Sequence, residues 1–122
     1  MPNLANKDLY PEGELRKRIT EAVDFLQKKH PLTPILLVEH SGRADSQLLE
    51  TRLIDEFTYA STTLSKVFYE LKAKGIKRIY LLKSAEIGMG IESTVDGVHP
   101  NDIGMMEHAN AFAKKISAIL KE

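Results

Sequence analysis

Apolar residues recur along this chain with two distinct periods. Leu15, Ile19, Val23 and Leu26 are spaced at steps of three and four, which predicts an amphipathic helix over residues 14–30. Pro31 and Pro34 end it. Ile35, Leu36, Leu37 and Val38 are then apolar at every position. Such a run predicts a strand covered on both faces, as in a parallel sheet with helices above and below. The helical period returns over residues 47–74 at Leu53, Phe57, Ala60, Leu64, Val67 and Leu71, and Gly75 fits the cap. Residues 78–82, Arg-Ile-Tyr-Leu-Leu, read as a second buried strand. A loop containing Gly88, Gly90 and Gly97 comes next. Pro100 suits the first turn of a last helix running to about Leu120. Its expected inner face is Ile103, Met106, Ala109, Ala113, Ile116 and Leu120.

The order helix, strand, helix, strand, helix predicts an α/β layer fold with right-handed crossovers. No repeat, low-complexity segment or linker divides the chain, so one α/β domain over residues 1–122 is expected. Two strands are few where natural sheets usually hold ~4–6. The pattern therefore reads as part of a larger parallel sheet.

Composition narrows the function classes. Apolar residues make up 43% and charged residues 28%, as in ordinary globular proteins. Seventeen Lys and Arg balance 17 Asp and Glu. That balance argues against nucleic acid or an anionic membrane as partner, since both select a basic excess. No apolar run reaches the ~18 residues of a membrane span. No signal peptide is visible, so the expected location of the chain as it stands is cytoplasmic. The absence of cysteine excludes disulfides and thiolate chemistry within these residues.

Candidate chemistry lies before the last helix, in Asp96-Gly97-Val98-His99-Pro100-Asn101-Asp102-Ile103-Gly104. A carboxylate three residues before an imidazole, across a glycine turn, can hold that ring in one tautomer as a general base. The competing reading is helix capping by Asp96 and a loop hydrogen bond for His99. In open α/β sheets, sites form at the carboxyl ends of strands. Glu39, His40 and Ser41 come directly after the first strand, so His40 and Ser41 are candidate rim residues. Against that, His40 reads equally as a solvated or packing residue. Ser41 lacks a G-x-S-x-G elbow and reads as a loop hydrogen-bonding group. Asn3 is a third candidate for the same rim, or simply a terminal turn residue. Glu39, His40 and His99 together form a weaker candidate for a metal or small-ligand site. His108 shows no zinc spacing, and His30 suits a helix C-terminus.

The stretch Thr94-Val95-Asp96-Gly97-Val98-His99-Pro100-Asn101-Asp102-Ile103-Gly104 resembles the closing block of SGNH hydrolases, the GDSL-type esterases and lipases. Thr33-Pro34-Ile35-Leu36-Leu37-Val38-Glu39-His40, a long helix and Lys74-Gly75-Ile76-Lys77 are similar to the bacterial acetylhydrolase-like branch. Met1-Pro2-Asn3 looks like that branch's oxyanion segment. The resemblance implies a partial three-layer α/β/α sandwich, flavodoxin-like. It implies Asp96 as orienting acid, His99 as general base and Asn3 as oxyanion donor. The family's Gly-Asp-Ser block and its second-block glycine have no counterpart here. The implied activity is hydrolysis of short acyl esters, acetyl-type among them, by a Ser-His-Asp mechanism without metal or organic cofactor. The implied substrate of the complete enzyme is a small-molecule or carbohydrate ester, and that protein would be cytoplasmic, periplasmic or secreted. The chain would be the C-terminal portion of such a domain, beginning at an internal methionine. A homo-oligomer is expected, because the strand Ile35–Val38 would expose an edge. The alternative function is a non-catalytic α/β fragment or assembly module.

Overall fold

The chain folds around a pair of short parallel strands with helices on both faces. In the computed structural model the described residues are 10–48 and 51–121, with the side chains of 47 and 51–57 outside the description. Helix α1 spans Glu12–Lys29, strand β1 Ile35–Val38, helix α2 Thr51–Ala73, strand β2 Ile79–Leu82, helix α3 Ser84–Ile87 and helix α4 Asp102–Ile119. Strand β1 pairs with β2 in parallel, Ile35 opposite Ile79 and Val38 opposite Leu82. The Ile35 N–H donates to the Arg78 carbonyl and the Glu39 N–H to the Leu82 carbonyl, each at 2.9 Å, so the ladder extends past both ends. Parallel strands need a long crossover. Helix α2 supplies it.

Strand alternation sends successive side chains to opposite faces. On one face Val23 of α1, Val67 and Leu71 of α2 and Ile79 of β2 form the core, with Ile19, Ile35, Leu37, Phe68 and Ile76 packed against it. The other face carries Leu36 and Val38, which meet Phe112, Ile116, Ile119 and Leu120 around α4 in a cavity of about 380 Å³. Three layers result. The parallel strands and flanking helices agree with the expected fold class, and both strands occur where the apolar runs predict them.

Several boundaries differ from the sequence expectation. Helix α2 is described from Thr51, and Ser46–Leu48 forms a 3₁₀ turn where the sequence expectation begins the long helix. Its expected stripe is met at Val67 and Leu71, which are buried. Leu53 and Phe57 lie outside the described side chains. At its end the Ile76 N–H reaches the Leu71 carbonyl and the Gly75 N–H the Lys72 carbonyl. This Schellman pattern needs the positive φ of +91° at Gly75. Pro100 precedes the last helix rather than opening it. Asn101 is the cap, its side chain accepting from the Ile103 and Gly104 N–H groups.

The inner face of α4 is the expected one only in part. Ile103, Met106, Ile116 and Leu120 are exposed, while Gly104 and Ile119 are buried. Gly104 decides the rotation. A Cβ there would collide with the Ser93 carbonyl, so α4 approaches the preceding loop through its glycine. The chain places apolar residues on two faces of α4, and the expected one meets the sheet only at its end, where Ile116 and Leu120 line the cavity with Leu36 and Val38.

Candidate active site

The loop from Gly88 to Asn101 returns the chain from β2 to α4 at the carboxyl ends of both strands. Its last part closes on itself. Thr94 and Pro100 form an isolated antiparallel bridge, the Val95 N–H donates to the His99 carbonyl at 2.9 Å, and the Asn101 N–H donates to the Ser93 carbonyl at 3.0 Å. Gly97 turns the tip with φ +84°, and its N–H donates to Thr94 Oγ1 at 3.1 Å.

Asp96 sits at the start of this tip and binds two residues beyond the turn. Oδ1 accepts the Val98 N–H at 3.0 Å and the His99 N–H at 2.8 Å. Oδ2 lies 2.6 Å from His99 Nδ1. These contacts, the His99 N–H foremost and then its ring and the Val98 N–H, hold the Asp96 carboxyl well below the usual carboxylate range. An ionised carboxylate only accepts. The proton of a neutral His99 ring therefore sits on Nδ1, and the Nε2 lone pair is available to take a proton from outside. The pair is open to solvent, 75% for the His99 side chain and 51% for Asp96. Helix capping is the work of Asn101, so the capping reading of Asp96 is not met.

The other candidates occupy the same end of the sheet with local duties. The Glu39 carboxylate is shared between Ser65 Oγ at 2.5 Å and the Ser84 N–H at 2.9 Å. The His40 N–H donates to Ser61 Oγ at 3.0 Å, and its Nδ1 accepts the Gly42 N–H at 3.0 Å. Burial, and after it the charges of His108 and His99, lowers the His40 pKa from its ordinary value. Ser41 is half-buried in the loop after β1. Among the described residues, the His99 ring hydrogen-bonds only Asp96. The reading of Glu39, His40 and His99 as a metal site is not met. Among the described residues no three such side chains form a metal-holding group, and Glu39 is committed to Ser65 and Ser84. Asn3 lies outside the described residues.

Residues that periodicity passed over hold the tip from the side. Arg43 Nη2 reaches the Asp96 carbonyl at 3.4 Å, and the Ala44 N–H donates to the Gly97 carbonyl at 2.8 Å. Asp45 presses its carboxylate where a Gly97 Cβ would stand. The one signal in the sequence is the Arg-x-Asp spacing after Gly42, too short to mark a contact 53 residues away.

A family model, the GDSL-like lipase/acylhydrolase family, matches residues 1–117. The chain belongs to that family. Among solved structures it is similar to a protein from Bacteroides ovatus described as a GDSL-like lipase, at 29% identity and TM-score 0.78, covering 90% of this chain and 33% of that one. It shares the fold of a salicylyl-acyltransferase from a tetracycline biosynthetic pathway, at 18% identity and TM-score 0.68, covering 88% and 33%. The chain thus spans about one third of the length of the solved structures it matches. No curated protein matches it.

Proposed function

We propose that this chain supplies the acid–base half of a serine esterase that cleaves short acyl esters, acetyl-type among them. The observation that carries the reading is the 2.6 Å contact between Asp96 Oδ2 and His99 Nδ1. Family membership adds the reaction class. In the complete site His99 Nε2 takes the proton of a seryl hydroxyl as that oxygen attacks the ester carbonyl. Asp96 stabilises the imidazolium and keeps it oriented. The imidazolium then protonates the departing alcohol, and water activated by His99 releases the acyl group. Asn3 is assigned to the oxyanion, where loss of one donor costs ~10²–10³-fold in rate. The serine comes from outside these 122 residues, which contain no Gly-Asp-Ser block.

Hydrolysis of short p-nitrophenyl esters tests the reading, with the 122-residue chain and with the protein at its native length. The chain alone is expected to turn over poorly. The native-length protein is expected to be active and to lose that activity in His99→Ala. Absence of turnover at native length would favour the non-catalytic module. Robust turnover by the chain alone would place the nucleophile within it. Ser41 would then be the first residue to replace, because its loop shares the rim with His99.

A further inference from the structure

We propose that Arg43 and Asp45 are positioning residues for the Asp96–His99 pair, gripping the turn that carries it. The inference rests on reading Asp96 and His99 as the acid–base pair. The Thr94–Pro100 bridge closes only the base of the loop. The carbonyls of Asp96 and Gly97, at its tip, both face the loop after β1. Arg43 Nη2 takes the first at 3.4 Å, and the Ala44 N–H takes the second at 2.8 Å. The Asp45 carboxylate packs against Gly97 so closely that a side chain there would overlap it.

The two gripping side chains are themselves locked. Arg43 Nε and Nη2 meet Asp45 Oδ1 and Oδ2 at 2.9 and 2.7 Å, a two-pronged guanidinium–carboxylate pair. They are 19% and 21% exposed, against 75% and 51% for His99 and Asp96. An ion pair open to water is weak and constrains a ring less firmly than a buried one. The drier pair fixes the turn, and the wetter pair inherits its geometry. Asp45 has a second effect. It occupies the guanidinium fork, which would otherwise compete with His99 for the Asp96 carboxylate. Removing Asp45 therefore disturbs the pair as surely as removing Arg43.

The tautomer of His99, read from imidazole ¹⁵N shifts at pH 8 on the 122-residue chain, tests this. The wild-type ring is expected mainly as Nδ1–H. Arg43→Ala and Asp45→Asn are each expected to lower the Nδ1–H to Nε2–H ratio by roughly threefold or more, as for a weakened charge-assisted hydrogen bond. Arg43→Lys, which keeps the charge without the fork, is expected to fall between. Arg16→Ala, which breaks a distant ion pair with Glu70, is expected to leave the ratio alone. Folded Arg43→Ala and Asp45→Asn proteins with the wild-type ratio would overturn the proposal. If either fails to fold, an unchanged ratio in Arg43→Lys overturns it. Asp96→Asn separates the two readings. If it too leaves the ratio unchanged, the acid–base pair itself fails and the grip falls with it.

Discussion

Single carboxylates set how this protein responds to acid. Among the described residues the folded state holds four of them below their ordinary range: Asp96 through the His99 N–H and ring, Asp45 through Arg43, Glu70 through Arg16, and Glu86 through the Lys83 N–H and Lys115. Below the ordinary carboxylate range the unfolded chain binds protons that the folded chain refuses. Each group thus contributes stability that is complete above the unfolded pKa and lost as pH falls. His40 acts in the same direction at higher pH, because burial lowers its folded pKa from 6.5. Urea midpoints measured from pH 8 to pH 3 are therefore expected to decline gently from about 6.5 and steeply below about 4.5. A midpoint that rose on acidification would contradict these assignments. At this scale the sequence already paired Asp96 with His99, since a three-residue spacing across a glycine leaves few other partners in reach. Arg43 and Asp45 were not legible, because their contacts depend on how two loops meet.

Among the elements, the cap of α4 matters most to the site. Asn101 accepts from Ile103 and Gly104 and donates its amide to the Glu92 carbonyl at 2.7 Å. It joins the helix to the loop that presents His99. Asn101→Ala is expected to cost about 0.5–2 kcal/mol in urea unfolding, near the upper end because both roles are lost. Asn101→Gly, which keeps the backbone preference of a cap, should cost less than Asn101→Ala. Equal stability of wild type and Asn101→Ala would place the helix start elsewhere. Both strands were legible as unbroken apolar runs, and three helices by their period. The burial of α4 was not. Its sequence offers two apolar faces, and the contact of Gly104 with the Ser93 carbonyl chose between them.

For the whole molecule, association is expected at the edge of β1 away from β2. Among the described residues the only strand partner of β1 is β2. Leu36 and Val38 border the cavity of about 380 Å³ under α4, and Ile116 and Leu120 stay exposed beside it. An unpaired edge next to apolar surface invites association. Two copies covering these edges would satisfy both, so light scattering of the 122-residue chain is expected to give a dimer or larger species. Leu36→Glu, which puts a charge into the cavity, is expected to shift it towards monomer. A monomer at every concentration, with that edge uncovered, would sink the idea.

The sequence by itself determined the class of fold, the order of its two strands and three long helices, and Asp96 and His99 as a candidate pair. Each of these rests on local physics: periodic burial, apolar runs that demand cover on both faces, and a carboxylate within three residues of an imidazole. Tertiary structure alone decided which face of α4 meets the sheet, that Glu39 is committed to Ser65 and Ser84 rather than to a site, and that Arg43 and Asp45 hold the tip of the His99 loop. Those outcomes depend on contacts between segments up to 53 residues apart. Spacing along a chain carries no information about such contacts until the strands and helices have brought the segments together.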